Sequence, residues 1–314
     1  MDRYIRSLHH VTATVTGAQE DLDFYVGLLG QRLVKKTVNF DNPHVYHFYY
    51  GNETGTPSTI MTTFPYHGMG VPVGVRGAGQ VTITSFSAPP ASLPFWRQRL
   101  RDRGVASRDV TTAFGEEALV FGDPSGLVIR IVAAADDARA PWLAPGVGAA
   151  EAIRGIHGVS LTVRDPAQTV ALMSELLDGA VVREAEGATR VAINGDQPGH
   201  VVEVLRAADA PRAANGLGTV HHVAFAVANE DQQLQVRQEL LRRGMSVTQV
   251  MDRQYFKSIY FREPNGVLFE VATLPPGFLV DEDVSQLGTA LKLPPWEESR
   301  RAFIEGGLPS VHVP

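Results

Sequence analysis

The stretch LHHVTATV at residues 8–15 returns as VHHVAFAV at residues 220–227. Looser versions stand at QVTITSF (80–86) and IHGVSLTV (156–163), so the pattern occurs once in each quarter of the chain. Alternating apolar and polar residues, with many β-branched side chains, predict a short β-strand at all four places. Similarity that returns at a regular interval indicates a fold built from repeated units.

Each predicted strand is followed by a stretch typical of a helix that ends at glycine. These stretches are DLDFYVGLLG, LPFWRQRLRDRG, PAQTVALMSELLDG and EDQQLQVRQELLRRG. Turns rich in Pro and Gly then lead into closing strands. The closing segments are DPSGLVIRIV (123–132), QPGHVVEVL (197–205), EPNGVLFEVA (263–272) and, less clearly, PSTIMTTF (57–64). The sequence therefore predicts an α+β fold of four βαβββ modules, which form two domains with cup-shaped mixed sheets.

The stretch 135–152 is rich in Ala, Pro and Gly, and it predicts a linker between two pairs of modules. An N-terminal domain is expected at 1–134 and a C-terminal domain at 153–274. Residues 275–314 fit no module, and we expect them to pack as a tail on the surface or over a cup. The module bounds are expected at about 5–70, 78–134, 154–207 and 218–274.

Composition narrows the class of protein. The 314 residues, with 44% apolar and 20% charged side chains, can bury the cores of two domains. The absence of cysteine excludes disulfides and thiolate metal ligands. A formal net charge of -6 argues against a nucleic-acid partner. With no long apolar run and no signal-like start, we expect a cytoplasmic protein without a membrane partner, and a homo-oligomer is left open.

Superposing the modules indicates where ligands for a metal could come from. On the first strands, His10 falls opposite Gln80, Gly158 and His222. On the closing strands, Glu270 falls opposite Glu203, Arg130 and either Met61 or Thr62. If these strands line one concave face, modules one and four together supply His10, His222 and Glu270. Two imidazoles and one carboxylate form the facial ligand set of non-haem Fe(II) oxygenases.

Each of these residues also has a plainer interpretation. A single strand histidine is more often structural, and Glu270 could face water on a half-exposed strand. Modules two and three offer Arg130, which would repel a divalent cation, so we expect that cup to be metal-free. Glu203 is then a relic or a surface residue, and His157 is structural. The other histidines, of which only His47 could approach the cup, are expected on the surface or in loops: His44, His47, His67, His200 and His312.

The four βαβββ modules resemble the vicinal oxygen chelate superfamily, which includes glyoxalases, fosfomycin-resistance proteins and extradiol dioxygenases. The segment DRQYFKSIYFREPNGVLFEVAT (252–273), with the two His-His strands, is similar to the hydroquinone-type ring-cleaving dioxygenases. The resemblance implies Fe(II), with Mn(II) as the alternative, at His10, His222 and Glu270. It also implies a small aromatic substrate and O2.

The resemblance further implies roles for five residues around the metal: His9, Thr12, His221, Arg253 and Tyr260. Thr12 shares a strand face with His10, which supports its role, whereas His9 and His221 face away if the strands are regular. The alternative for Arg253 is a surface salt bridge with Asp252 or Glu263. The alternative for Tyr260 is a packed cross-strand aromatic residue.

Three other functions are compatible with the same fold. A catechol extradiol dioxygenase would take both histidines from the later modules, an option that Gly158 closes. A glyoxalase-like metal-dependent isomerase or transferase would present a fourth ligand where Met61 or Thr62 stands. A non-catalytic protein that binds an aromatic ligand would have lost a metal-ligating residue, and none of the three is lost.

Overall fold

The computed structural model describes residues 4–314. Within them, sixteen strands form two eight-stranded mixed sheets. The strands are β1 Ile5–Val15, β2 Arg32–Asn39, β3 Asn42–Gly51, β4 Ile60–Pro65, β5 Gln80–Ala88, β6 Ser107–Thr111, β7 Glu117–Gly122, β8 Val128–Ala133, β9 Gly155–Val163, β10 Gly179–Ala185, β11 Ala188–Ile193, β12 Val201–Arg206, β13 Thr219–Val227, β14 Met251–Asp252, β15 Lys257–Arg262 and β16 Leu268–Thr273. The α-helices are α1 Ala18–Leu22, α2 Leu93–Asp102, α3 Pro166–Leu176, α4 Glu230–Arg242 and α5 Arg301–Gly307. A π-helical stretch, Asp23–Leu28, continues α1.

The order of strands shows how the modules combine. The first sheet runs β14-β15-β16-β13-β1-β4-β3-β2 and joins modules one and four through the antiparallel pair β1–β13. The second runs β10-β11-β12-β9-β5-β8-β7-β6 and joins modules two and three through β5–β9. The predicted α+β fold is confirmed. The division into domains on either side of 135–152 stays a prediction, and each sheet takes one module from each side of that stretch.

Local sequence explains the longer helices. Asp165 and Asn229 precede α3 and α4, and their side chains accept hydrogen bonds from the backbone N–H groups of Ala167 and Gln232. Such caps satisfy donors that a helix leaves free at its N-terminus. The helices pack on the strands of their own modules. The central strand β1 lies between β13 and β4 and is buried at ten of its eleven positions.

The first strands are interrupted by β-bulges. His9 is an extra residue between the pairs Leu8–Phe225 and His10–Ala224. His221 is likewise an extra residue on β13, opposite the step from Thr12 to Ala13. A bulge leaves one residue unpaired and re-aims its side chain. The second sheet has matching bulges at Thr82 and His157.

This register corrects one part of the module superposition. In module four, Ala224, which lies two positions after His222, pairs with Glu270. The same pairing of first and closing strands recurs in the other modules: Thr12 with Thr62, Ser85 with Arg130 and Ser160 with Glu203. Counting back two positions on each first strand gives the residue equivalent to His10. Ile83, and not Gln80, is therefore the equivalent of His10. Of the two residues proposed opposite Glu270, Thr62 is correct. The sequence misled because an alternating strand looks similar at several offsets.

The tail, residues 275–314, lies along β2, which is the edge strand of the first sheet. Lys36 and Leu291 form a parallel bridge, and the Lys292 N–H donates to the Lys36 carbonyl at 2.9 Å. Beneath the tail, Lys35 is fully buried and pairs with Asp281 at 2.6 Å and with Glu282. Within residues 4–314, no helix is both long enough and apolar enough to cross a membrane.

Candidate metal centre

Three side chains converge on the concave face of the first sheet. His10 Nε2 lies 3.2 Å from His222 Nε2 and 3.3 Å from Glu270 Oε2, while His222 Nε2 lies 2.8 Å from that same oxygen. The pairing of β1 with β13 places the two histidines together, and the parallel pairing of β13 with β16 adds the carboxylate. All three residues are buried.

These distances fit a divalent cation. Two ligand atoms about 2.1 Å from an ion and at right angles to each other are about 3.0 Å apart. Burial lowers the pKa of His222, which favours the neutral ring that a metal ligand needs. Burial opposes ionisation of Glu270, yet His10 and His222 hold the pKa of Glu270 well below its usual range. Oε2 of Glu270, the oxygen that faces both histidines, is buried and has no hydrogen-bond donor among residues 4–314. A cation among the three atoms would satisfy all of them.

The two bulged histidines support the converging pair from behind. His9 Nδ1 lies 2.8 Å from His10 Nδ1, and His221 Nδ1 lies 2.7 Å from His222 Nδ1. If Nε2 of His10 and His222 carries the lone pair, Nδ1 of each ring must carry the proton. Each Nδ1–H then donates a hydrogen bond to Nδ1 of the preceding histidine, His9 or His221. Burial lowers the pKa of both His9 and His221 to about 3, which keeps these acceptors neutral.

His9 and His221 were expected to face away only if the strands are regular, and that condition is not met. The bulges turn each histidine toward its neighbour. His221 lines the cavity beside the centre, whereas His9 packs behind His10 against Phe256.

Ser258 is a site residue that the sequence did not indicate. Its hydroxyl donates to Oε1 of Glu270, on the side away from the histidines. Ser258 is buried on β15, and it lies two residues before Tyr260 on the same strand face. That shared face is the only sequence signal that could have pointed to it.

A cavity of about 560 Å³ opens beside the three converging residues. Its walls carry aromatic and apolar side chains, including Phe40, Tyr49, Phe64, Phe256 and Leu268. A mostly apolar pocket with a few converging polar groups is the usual form of a small-molecule site. The volume admits a single aromatic ring.

Arg253 and Tyr260 meet at the wall of this cavity. Arg253 Nε donates to the Tyr260 hydroxyl at 3.2 Å, and its terminal nitrogens donate to both carboxylate oxygens of Asp41 at 3.2 and 3.0 Å. The alternative partners Asp252 and Glu263 are therefore wrong, because the ion pair is with Asp41 from module one. Burial opposes the charge on Arg253, but Tyr260 and Asp41 raise its pKa.

Tyr260 stands opposite Glu270 in the pairing of β15 with β16, and its ring lies 5.6 Å from that of His222. Burial and the charge of Glu270 raise the pKa of Tyr260, so its phenol keeps its proton. Tyr260 therefore combines the packed cross-strand position with a hydroxyl that can donate into the cavity.

Thr12 and His47 are joined through Thr62. The Thr62 hydroxyl donates to the Thr12 hydroxyl at 2.8 Å, and His47 Nε2 lies 2.9 Å from the same Thr62 oxygen. His47, on β3, does reach the cavity wall. The remaining unassigned histidines lie away from this centre: His44, His67, His200 and His312.

In the second sheet, ion pairs occupy the corresponding place. Glu203 is buried and contacts Arg130 at 2.7 Å and Arg190 at 3.1 Å. The interpretation of Glu203 as a surface residue is thus wrong. His157 is buried and lies 3.2 Å from Glu116, which also pairs with Arg190. The guanidinium groups supply the positive charge that buried carboxylates need. That this cup is metal-free stays a prediction.

Comparison with known proteins gives consistent matches. The model of the glyoxalase/bleomycin resistance protein/dioxygenase superfamily matches residues 155–271. A Bacillus subtilis protein named as a ring-cleaving dioxygenase, MhqE, is 43% identical over 304 residues, which cover 97% of this chain and 98% of the relative. The chlorohydroquinone/hydroquinone 1,2-dioxygenase of Sphingobium indicum is 36% identical, with 93% of this chain and 92% of the relative covered.

Solved structures agree with these matches. A Bacillus subtilis protein named as a dioxygenase superposes with a TM-score of 0.95 at 39% identity, over 100% of this chain and 99% of that one. Glyoxalase I from Zea mays shares the fold alone, with a TM-score of 0.63 at 14% identity over 86% of this chain and 92% of that one. Since relatives well above 30% identity match over nearly their whole length, this chain belongs to the ring-cleaving dioxygenases, enzymes of the glyoxalase/bleomycin resistance protein/dioxygenase superfamily.

Proposed function

We propose that this enzyme is an Fe(II)-dependent, extradiol-type dioxygenase that cleaves the ring of substituted hydroquinones. Its metal ligands would be His10, His222 and Glu270. The observation that carries the proposal is the convergence of these three ligand atoms, 2.8–3.3 Å apart, on the wall of a cavity that admits one aromatic ring. We include a cytoplasmic location, and no nucleic-acid or membrane partner, in the proposal.

When bound, the ion would supply positive charge and open coordination positions for two reactants. The protein would contribute the surroundings. Phe64, Phe256 and Leu268 exclude water and hold an aromatic ring by its faces. The charged Arg253 stabilises negative charge that develops on substrate oxygens. The protonated phenol of Tyr260 donates a hydrogen bond, and a proton when needed, to a substrate-derived oxygen.

The choice of hydroquinones rests on the positions of the polar groups. The two hydroxyls of a hydroquinone are at opposite ends of the ring and cannot both reach one ion. The second hydroxyl therefore needs a partner from the protein, and the cavity offers Arg253, Tyr260 and His47. The Sphingobium relative, named for hydroquinone substrates, supports this assignment.

Thr62 weakens the glyoxalase-like alternative. It occupies the strand position where a fourth ligand would stand, and its hydroxyl is engaged with Thr12 and His47. A neutral hydroxyl is a much poorer ligand for a divalent cation than a carboxylate or imidazole. No observation favours this alternative or the non-catalytic one.

The test is metal analysis of anaerobically purified protein, followed by O2 uptake over matched hydroquinones and catechols. We expect about one iron per chain, and faster uptake with the hydroquinones. Catechol turnover that is several-fold faster would overturn the hydroquinone assignment and keep the dioxygenase class. Full turnover without iron, and with Mn(II), would reassign the metal.

A further inference from the structure

We infer that His47 recognises the second, un-ionised hydroxyl of the substrate by accepting a hydrogen bond at Nδ1. This inference rests on the proposed function and assigns the specificity of the same cavity to one residue. His47 would be the group that distinguishes a para-hydroxyl from a hydrogen or an ether at that position.

The internal symmetry of the first sheet first draws attention to His47. Tyr260 pairs with Glu270 in module four, and Tyr49 pairs with Thr62 in module one. Two residues earlier on the same strands stand Ser258 and His47. Ser258 donates to Glu270, and His47 contacts Thr62 in the matching way. His47 thus occupies a place built to contact the residue opposite the metal-ligating carboxylate.

The hydrogen-bond chain fixes the tautomer of His47. The single proton of the Thr62 hydroxyl goes to Thr12, so the Thr62 oxygen must accept from His47 Nε2. Burial, followed by the nearby His10 and His222, lowers the pKa of His47 well below its usual value. A neutral ring that donates at Nε2 keeps a lone pair at Nδ1. This atom has no hydrogen-bond partner among residues 4–314, and the half-buried ring forms part of the cavity wall.

The polar groups of the cavity fall into hydrogen-bond donors and a hydrogen-bond acceptor. Arg253 and Tyr260 offer donors, which suit an oxygen that has lost its proton. His47 offers a lone pair, which suits a hydroxyl that retains its proton. A hydroquinone with one ionised and one neutral oxygen carries this pair of features at its two ends. The donors Arg253 and Tyr260 and the acceptor His47, which line the same cavity, therefore complement the two oxygens of a para-diol.

Anaerobic calorimetry on the iron-loaded protein tests the inference without turnover. The ligands are hydroquinone and 4-aminophenol, which carry a para donor, and phenol and 4-methoxyphenol, which do not. We expect the two para donors to bind about 10-fold more tightly, the worth of one hydrogen bond in a desolvated site. His47→Phe keeps an aromatic ring there, and the preference should disappear. His44→Phe, on the same strand but outside the cavity, should retain it.

A second measurement observes the tautomer directly in the metal-free protein. Nitrogen-15 NMR of the imidazoles should show His47 protonated at Nε2. Thr62→Val removes the acceptor and should give a mixture of tautomers with a weaker preference for para donors. Thr62→Ser retains a hydroxyl and should restore both.

Several outcomes would overturn the inference. One is that the unaltered protein binds 4-methoxyphenol as tightly as hydroquinone. Another is that a folded, iron-loaded His47→Phe variant keeps the preference. If that variant does not fold, a His47 protonated at Nδ1 in the unaltered protein is decisive against it. These results would leave hydroquinone oxygenation standing, whereas an iron-loaded protein that binds none of the four ligands would refute the proposed function itself.

Discussion

One strand position carries a glutamate twice in this chain, with different consequences. Glu270 and Glu203 occupy equivalent positions on β16 and β12 and are both buried. Glu270 faces two imidazoles, whereas Glu203 faces two guanidinium groups. The neighbouring side chains therefore decide whether the buried carboxylate is neutralised by arginine or is left free to bind a metal ion.

This pair gives the first prediction. Glu270→Gln should abolish stoichiometric iron binding while the fold stays intact, and His10→Ala and His222→Ala should do the same. Glu203→Gln should keep the iron but lower the free energy of unfolding by about 3 kcal/mol, because Arg130 loses its buried partner. Anaerobic metal analysis and urea unfolding measure the two effects. Full iron occupancy in Glu270→Gln would remove Glu270 from the site.

The second prediction concerns the phenol of Tyr260. Tyr260→Phe keeps the ring against His222 and removes only the hydroxyl that Arg253 contacts. Turnover of a hydroquinone should fall by roughly 10² or more, since a donor to a developing charge is lost. Iron content and thermal stability should change little. Unchanged turnover at normal iron content would make Tyr260 a packing residue.

At the scale of elements, the sequence predicted the modules but not their irregularities. Repeated strands, glycine-ended helices and turn residues predicted four βαβββ units, because these signals are local. The bulges at His9 and His221 carry no local signal, so period-two alternation could not place these two side chains. Asp41 and Ser258 were missed for a related reason: their partners, Arg253 and Glu270, lie on other elements.

The first helix contains the third prediction. Asp21 on α1 is buried and accepts from Tyr50 at 2.6 Å and from Thr63. Burial raises its pKa from 3.8 to about 7. Between these values the folded protein holds a proton that the unfolded chain has released, so stability falls as pH rises, by about 1.4 kcal/mol per pH unit.

Asp21→Asn has no such proton and should escape this loss. We expect the variant to match the unaltered protein near pH 4, below which Asp21 is protonated in both states, and to melt at a higher temperature near pH 8. The comparison uses the difference between two proteins at each pH, because other groups titrate equally in both. An equal difference at both pH values would contradict the assigned pKa.

At the scale of the whole molecule, the tail holds module one by a buried charge. Lys35 lies beneath residues 281–282, with the Tyr255 ring 5.0 Å from its ammonium group. The sequence indicated that the tail lies outside the modules, but it gave no sign of this contact. Lys35 is separated from Asp281 by 246 positions and from Glu282 by 247. A lysine in strand β2 looks like an ordinary edge residue until the tail covers it.

The fourth prediction tests this contact. The double variant Asp281→Asn/Glu282→Gln leaves Lys35 buried without a counter-charge and should cost about 3–5 kcal/mol of unfolding free energy. Adding Lys35→Met replaces the ammonium by an apolar group of similar length and should restore most of the loss. Urea unfolding of the three proteins measures both steps. A triple variant as unstable as the double would show that the charges do not interact.

The pairing of β1 with β13 also determines when the first sheet can form during translation. His10 and His222 are 212 residues apart, so at about 5–20 residues per second a ribosome delivers the second about 10 to 40 s after the first. Thr82 and Ser160, across the inner pair β5–β9, are only 78 residues apart, and that sheet can close sooner. The nascent chain consequently brings His10, His222 and Glu270 together only when its fourth module emerges, and β1 lacks its neighbour β13 until then.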